Sequence, residues 1–188
     1  MSNRLKIGII LGSNRIGRVS DQVGEWVKEI ADARNDADYE IVDLADYDLP
    51  FLGTTEAVSP EVIRWNEKLF SLDGFVFIVQ EYNHSITAVL KNALDSAKEA
   101  WNNKAAGIIS YGAVGGARAT EHLRGILGEL KVADVRTHPA LSVITDFENM
   151  SVFKPAPFHE ATVTEMLDQL VPWTNGLHTL RESMKIEA

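Results

Sequence analysis

Ser13, Arg15 and Ser20 follow directly behind the apolar run Lys6-Ile7-Gly8-Ile9-Ile10-Leu11-Gly12. The run reads as a buried strand. The segment Ser13-Asn14-Arg15-Ile16-Gly17-Arg18-Val19-Ser20 reads as a loop that opens a helix. Backbone N–H groups at a helix start have no intrahelical partner and carry partial positive charge, so they favour an anion. The Ser13 and Ser20 hydroxyls add donors, and Arg15 adds a planar fork that can hold phosphate through two hydrogen bonds. These residue types in this order suit one phosphate, and hence a phosphorylated small molecule, most simply a mononucleotide. The loop is not a P-loop, because no Lys-Ser/Thr pair follows its glycines. It is not a dinucleotide fingerprint either, because Gly8, Gly12 and Gly17 have the wrong spacing. An ordinary tight strand-to-helix turn with solvated polar residues is the alternative.

Two further segments combine polar side chains with exposed backbone. Gln80-Glu81-Tyr82-Asn83-His84-Ser85 comes directly after the apolar Gly74–Val79. Tyr82 offers an aromatic face, while Asn83, His84 and Ser85 offer donors beside the N–H groups of the next helix start. A flavin ring requires that combination of flat contact and edge donors. Ser110-Tyr111-Gly112-Ala113-Val114-Gly115-Gly116-Ala117-Arg118 is rich in glycine, which lets a backbone approach a planar ligand closely. A glycine-rich turn alone would need only positive φ angles; it gains meaning from sharing a sheet edge with the other two loops.

The elements that would place these loops alternate along the chain. Strands are expected at 5–11, 39–44, 74–79, 105–111 and, more weakly, 134–142. Helices are expected at 19–33, 59–71, 87–101, 116–130 and 159–182, with loops at 45–59 and 145–158. Ser59-Pro60-Glu61 is a strong helix start: a capping serine, proline at the first helical position, then an acid. Five strand–helix repeats imply a parallel sheet with helices on both faces and right-handed crossovers. The expected fold is α/β, a flavodoxin-like three-layer α/β/α sandwich with a five-stranded parallel sheet in the order 2-1-3-4-5. Ligands of such sheets lie beyond the carboxyl ends of the strands.

Composition bounds the rest. A chain of 188 residues, 45% hydrophobic and 24% charged, fits one domain over 1–188. The net charge of −9 argues against nucleic-acid binding, which needs a basic face. A local field at a helix start still outweighs distant charges screened over about 8–10 Å. No apolar run approaches the roughly 20 residues of a membrane-spanning helix. Met1-Ser2-Asn3-Arg4 leads into the first strand without a signal segment. The absence of cysteine excludes disulfides and thiolate sites and suits a cytoplasmic protein. The five histidines, at 84, 122, 138, 159 and 178, form no metal-binding pattern, so no metal site is expected. No G-x-S-x-G elbow marks a hydrolase.

Taken together, Gly12-Ser13-x-Arg15…Ser20, Glu81-Tyr82-Asn83-x-Ser85…Leu90-Lys91-Asn92-Ala93-x-Asp95 and Ser110-x-Gly112…Gly115-Gly116-x-Arg118 resemble the NADPH-dependent FMN reductases. This flavodoxin-like group includes quinone, azo-dye and chromate reductases. The similarity covers about residues 5–145. Two positions depart from the family pattern: Gln80 stands where proline is frequent, and Ile86-Thr87-Ala88 replaces a Pro-Gly-like pair. The resemblance implies an FMN-dependent NAD(P)H oxidoreductase, a homodimer or homotetramer with FMN near the subunit contact. Ser13, Arg15 and Ser20, with the backbone of Asn14, Ile16 and Gly17, would hold the FMN phosphate. Glu81, Tyr82, Asn83 and His84 would line the isoalloxazine, and Ser110 and Gly112 would touch its other side or the ribityl chain. Lys91, Asn92 and Asp95 would be structural.

Flavin N5 would carry hydride from NADPH or NADH to a small-molecule electron acceptor, so no side chain is assigned as catalytic acid or base. Arg18 and Arg118 are candidates for the 2′-phosphate of NADPH, or else solvated charges. Two other readings remain at this stage: a flavodoxin-type one-electron carrier, and a nucleotide-binding module without catalysis. Trp26, Trp65, Trp101 and Trp173 are expected in the core or an interface. The aromatic loop around Phe147–Pro155 is expected either as a lid or subunit contact or packed on its own domain.

Overall fold

The apolar runs become one parallel sheet. A computed structural model describes residues 4–54 and 58–186. Its strands are β1 (Lys6–Leu11), β2 (Asp38–Asp43), β3 (Gly74–Gln80), β4 (Lys104–Gly112), β5 (Val132–Asp134) and β6 (Ala140–Ser142). The helices are α1 (Ser20–Arg34), α2 (Pro60–Phe70), α3 (Ala88–Asp95), α4 (Ala117–Glu129) and α5 (Phe158–Ile186). The strand order is β2-β1-β3-β4-β5, with all neighbours parallel. This is the expected flavodoxin-like order. Every residue of β3 and β4 is buried, as central strands covered on both faces require.

Alternate side chains of each strand feed two apolar layers. On one face, Trp65 and Leu69 of α2, Leu90 and Leu94 of α3, and Leu123 and Leu127 of α4 meet Phe75, Phe77 and Ile108. On the other face, Val23 and Val27 of α1 and Val163, Met166 and Leu170 of α5 meet Ile7, Ile9, Val76 and Ile109. Trp65, Trp101 and Phe75 pack edge to face, with ring centroids 5.9 and 4.9 Å from Trp101. Trp65 and Trp101 are wholly buried, and their indole N–H groups donate to the Ala93 and Leu94 carbonyls. Trp173, in contrast, is 49% exposed. Truncating a buried tryptophan of this kind costs about 3–5 kcal/mol.

Two boundaries differ from the sequence reading. The fifth strand is split: β5 pairs with the first residues of β4 and β6 with its last. Pro139 interrupts the run because it has no ladder N–H to give, although its carbonyl still accepts from Ser110 N at 3.0 Å. The expected helix 87–101 ends at Asp95, and a separate 3-10 turn covers Glu99–Trp101. Ser96 closes the helix by donating from its hydroxyl to the Asn92 carbonyl at 2.7 Å, a competition that serine favours at helix ends.

The aromatic loop contains a hairpin of β7 (Phe147–Glu148) and β8 (Val152–Phe153). It packs on its own domain, through Phe153 against Trp26 and Phe147 against Tyr111. Residues 1–3 of the expected N-terminal lead-in and residues 55–57 of the expected loop lie outside the described residues. No helix among the described residues is long and apolar enough to cross a membrane.

Candidate functional site

The loops after β1, β3 and β4 emerge at one edge of the sheet, and buried polar contacts join them. The Gly12 carbonyl accepts from Gln80 Nε2 and from Thr87 Oγ1, each at 2.6 Å. Gly12 itself continues the ladder to the Ile78 carbonyl. A Cβ there would lie 2.7 Å from that oxygen, so only glycine fits. Thr87 also caps α3 by accepting from Leu90 N at 3.1 Å. Across the next gap, Glu81 N donates to the Tyr111 carbonyl at 3.0 Å. Gln80, which departs from the family pattern, therefore ties the first loop to the second.

The first loop leaves its donors open. α1 begins at Ser20 after Val19, which has no capping side chain, so the first N–H groups of the helix are unsatisfied within it. Among the described residues, the N–H groups of Asn14, Ile16 and Gly17 have no partner, and the Arg15 guanidinium makes neither a hydrogen bond nor an ion pair. Ile16 is fully exposed. Ser13 is buried, and its hydroxyl accepts from Arg15 N at 3.3 Å. Ser20 Oγ is wholly buried without a hydrogen-bond partner. The Tyr111 phenol is close enough to feel it. Burial first, then Tyr82, raises the pKa of that phenol well above the ordinary tyrosine value; Ser20 and Arg15 act in the opposite sense. Residues from all three loops thus share one electrostatic neighbourhood.

Arg18 behaves differently. Its guanidinium donates to the Ser13 carbonyl at 2.8 Å and pairs with Asp43. It braces the loop against β2 rather than pointing a free charge outward.

In the second loop, Tyr82 and Ser85 exchange backbone hydrogen bonds at 2.9 and 3.0 Å. Asn83 and His84 form the turn between them at φ 48° and 70°. This is a type I′ geometry, for which asparagine is well suited. The N–H groups of Asn83 and His84 are left without partners among the described residues, and Tyr82 is 40% exposed. The Glu81 carboxylate is committed to the start of α4. It accepts from Arg118 Nε at 2.6 Å and from the N–H groups of Arg118 and Ala119 at 3.1 and 3.4 Å. It therefore caps α4, and the Arg118 hydrogen bonds hold its pKa below the usual carboxylate value. Arg118 Nη1 also contacts His84 Nε2 at 2.7 Å. Both arginines expected at the NADPH 2′-phosphate are engaged within the protein.

Ser110 likewise departs from its expected place on the ligand. It is wholly buried, its hydroxyl donates to the Gly115 carbonyl at 2.6 Å, and its Oγ lies 2.8 Å from His138 Nε2. Ser110 alternates with Ala106 and Ile108 toward the helix face of β4, which explains its inward direction. Lys91 pairs with Asp95, and Asn92 Nδ2 donates to the Leu49 and Pro50 carbonyls, both at 3.1 Å. These last three residues are structural.

Residues 5–146 match the NADPH-dependent FMN reductase family. The chain belongs to that family. It is 36% identical over 159 residues to an NAD(P)H-dependent FMN reductase of Schizosaccharomyces pombe, covering 80% of each chain. It is 34% identical over 143 residues to a 2-hydroxy-1,4-benzoquinone reductase of a Burkholderia species, covering 68% of this chain and 73% of that one. In fold it is similar to the flavoenzyme NAD(P)H:acceptor oxidoreductase FerB of Paracoccus denitrificans, with a TM-score of 0.72 at 21% identity over 88% of this chain and 97% of that one. The reductase is accordingly an oxidoreductase that uses FMN and NAD(P)H.

Sequence reasoning missed two organising residues. Asp146 is buried and accepts from Ser142 N at 2.8 Å, Ala156 N at 3.1 Å and His159 Nε2 at 3.1 Å. It shapes the whole segment behind β6. The other is His138, which belongs to no motif in the sequence and contacts Ser110 and Thr120.

Proposed function

We propose that the three loops hold FMN, with its phosphate in the Ser13–Ser20 loop and its ring between Tyr82–His84 and Gly112–Gly116. The carrying observation is the buried, unpartnered Ser20 hydroxyl beside the unpaired Arg15 and the open N–H groups of Asn14, Ile16 and Gly17. Buried polar groups are rarely left unsatisfied, and an orphaned hydroxyl costs about 1–3 kcal/mol. A phosphate dianion supplies acceptors for every one of these donors. Ser13 and Arg18 keep the loop in shape. Tyr82 presents the aromatic contact, and the Asn83 and His84 N–H groups present fixed donors for the ring edge.

Bound FMN would supply the two-electron chemistry, taking hydride from NAD(P)H and passing it to an acceptor such as free flavin, a quinone, an azo compound or a metal oxyanion. The residues of this chain bind and orient, and none is required as acid or base. Arg18 is paired with Asp43 and Arg118 with Glu81, and the Arg118 side chain stays 42% exposed, so Arg118 is the better placed of the two for a 2′-phosphate. The exposed Phe51, Leu52, Val58 and Ile63 around the segment before α2 support a homo-oligomer, which sedimentation velocity would show as a dimer or tetramer; a monomer at high concentration would contradict it.

The functional test is an anaerobic titration of the FMN-loaded protein with NADPH, followed in the visible spectrum. The flavin band is expected to bleach in one two-electron step. Bound flavin that ignores NADPH yet accepts single electrons from dithionite would show an electron carrier instead. Failure to take up flavin would overturn the site assignment.

A further inference from the structure

His138 lies in the short connection between β5 and β6, outside every motif that suggested flavin binding. Its Nε2 is 2.8 Å from Ser110 Oγ and 3.1 Å from Thr120 Oγ1. Ser110 spends its one proton on the Gly115 carbonyl at 2.6 Å, so its oxygen accepts at Nε2, which then carries the hydrogen. With Nε2 protonated, Thr120 Oγ1 is a second acceptor, its own proton turned to the Gly116 carbonyl at 3.2 Å. His138 is the common donor behind two hydroxyls that grip two consecutive carbonyls of the glycine loop.

The Gly116 carbonyl also takes the Thr120 N–H at 3.0 Å, the first bond of α4, so the Gly115 carbonyl is the one that depends on its hydroxyl. Gly115 and Gly116 lie at φ 72° and 73°, with no side chain to resist a flip. In a trans peptide the C=O of one residue and the N–H of the next point in opposite directions. Holding the Gly115 carbonyl on Ser110 therefore turns the Gly116 N–H to the opposite side of that peptide, toward Gly112. That N–H has no partner among the described residues. A Cβ at Gly112 would lie 3.3 Å from Gly116 N, so glycine at 112 keeps the approach to it open.

We propose that His138, as its Nε2–H tautomer, is the positioning residue that locks the Gly115–Gly116 peptide with its carbonyl inward and its N–H presented to the flavin ring. The lock stands on the hydrogen-bond geometry; that the presented N–H serves a flavin rests on the function proposed above. Thr137 anchors the connection from the opposite side by donating to Glu165 Oε1 at 2.8 Å and accepting from Gln169 Nε2 at 2.6 Å. The imidazole is thus fixed between α5 and the glycine loop. Burial and the Arg124 guanidinium, opposed by Glu121, hold its pKa below the ordinary histidine value, which keeps it neutral at pH 7.

The test combines imidazole nitrogen NMR with two variants. In the flavin-free wild type at pH 7, the His138 ring is expected as the Nε2–H tautomer; the Nδ1–H tautomer would overturn the lock without reference to any cofactor. His138→Leu removes the donor and is expected to weaken FMN and riboflavin alike by about tenfold, since the lock acts on the ring and not on the phosphate. His138→Gln keeps an N–H near the Nε2 position and is expected to restore both affinities to within about threefold. Wild-type affinity in His138→Leu, or loss for FMN but not riboflavin, would overturn the proposal. If His138→Leu does not fold, the tautomer and the His138→Gln affinities decide. Wild-type protein that binds no flavin would overturn the functional reading, while the tautomer still reports on the lock.

Discussion

The two ends of the same sheet treat polar groups in opposite ways. At the amino end, Asp73 accepts from Lys6 N at 3.0 Å, from Arg181 Nη2 at 2.8 Å and from His178 Nδ1 at 2.8 Å. Arg181 also donates to the Asn103 carbonyl at 2.8 Å. Lys104, at the start of β4, is buried and donates to the Leu69 carbonyl at 2.6 Å, with Phe75 beneath it. At the carboxyl end, Arg15, Ser20 and several N–H groups face no partner among the described residues. One end is saturated and ties α5 to the sheet. The other spends Gln80, Thr87, Arg18 and Glu81 on holding loops still, and leaves a set of donors unused. Polar groups that brace one another stabilise a fold, whereas rigidly held groups with no partner mark where a ligand completes the bonding.

The largest expected effect comes from breaking the saturated end. Asp73→Ala strands the Arg181 charge and removes the acceptor of the His178 and Lys6 N–H groups, and is expected to lower stability by about 2–3 kcal/mol in urea unfolding, with FMN affinity unchanged within twofold. Equal loss of FMN affinity would show that the ends are not independent.

A second effect concerns pH. Burial, aided by Arg181 and opposed by Asp73, pushes the Lys104 pKa down to about 7, against roughly 10.4 for an unfolded chain. Between those values the unfolded chain holds a proton that the folded protein has released, so stability rises with pH across that window. The slope is expected to approach about 1 kcal/mol per pH unit, and Lys104→Met is expected to flatten it. Parallel urea curves for wild type and variant at pH 7, 8 and 9 would contradict this.

The smallest effect carries the sharpest contrast. Ser20→Ala removes an orphaned buried hydroxyl. It is expected to make the flavin-free protein about 0.5–1 kcal/mol more stable while weakening FMN about fivefold. Changes of the same sign in thermal unfolding and in FMN titration would show Ser20 to be ordinary core.

The sheet was legible because its signals are local: Gly74–Val79 is apolar throughout, and Ser59-Pro60 caps a helix by itself. The order of the first five strands followed from repeated strand–helix alternation and from the family resemblance. The split of the last strand at Pro139 and the early end of α3 at Ser96 depended on single hydrogen bonds that periodicity does not register. At the candidate site, the loop of open donors from Ser13 to Ser20 could be read because its residues are contiguous. The roles of Glu81, Ser110, Arg18 and Arg118 could not, because each is set by a partner far along the chain: Glu81 by Arg118, Ser110 by His138, and Arg18 by Asp43. Residue type showed that these groups were capable of binding. Only the fold shows which of them are already bound.

The most direct test of the contrast between the two ends uses two flavins that differ only in the phosphate. FMN and riboflavin affinities would be measured by fluorescence quenching for wild type and Arg15→Ala. Arg15→Ala is expected to lose about thirtyfold for FMN, the size of one charge-assisted contact of about 2 kcal/mol, and to bind riboflavin as wild type does, with unchanged stability. Equal losses for the two flavins, or none for either, would contradict a phosphate held by the open donors of the carboxyl edge.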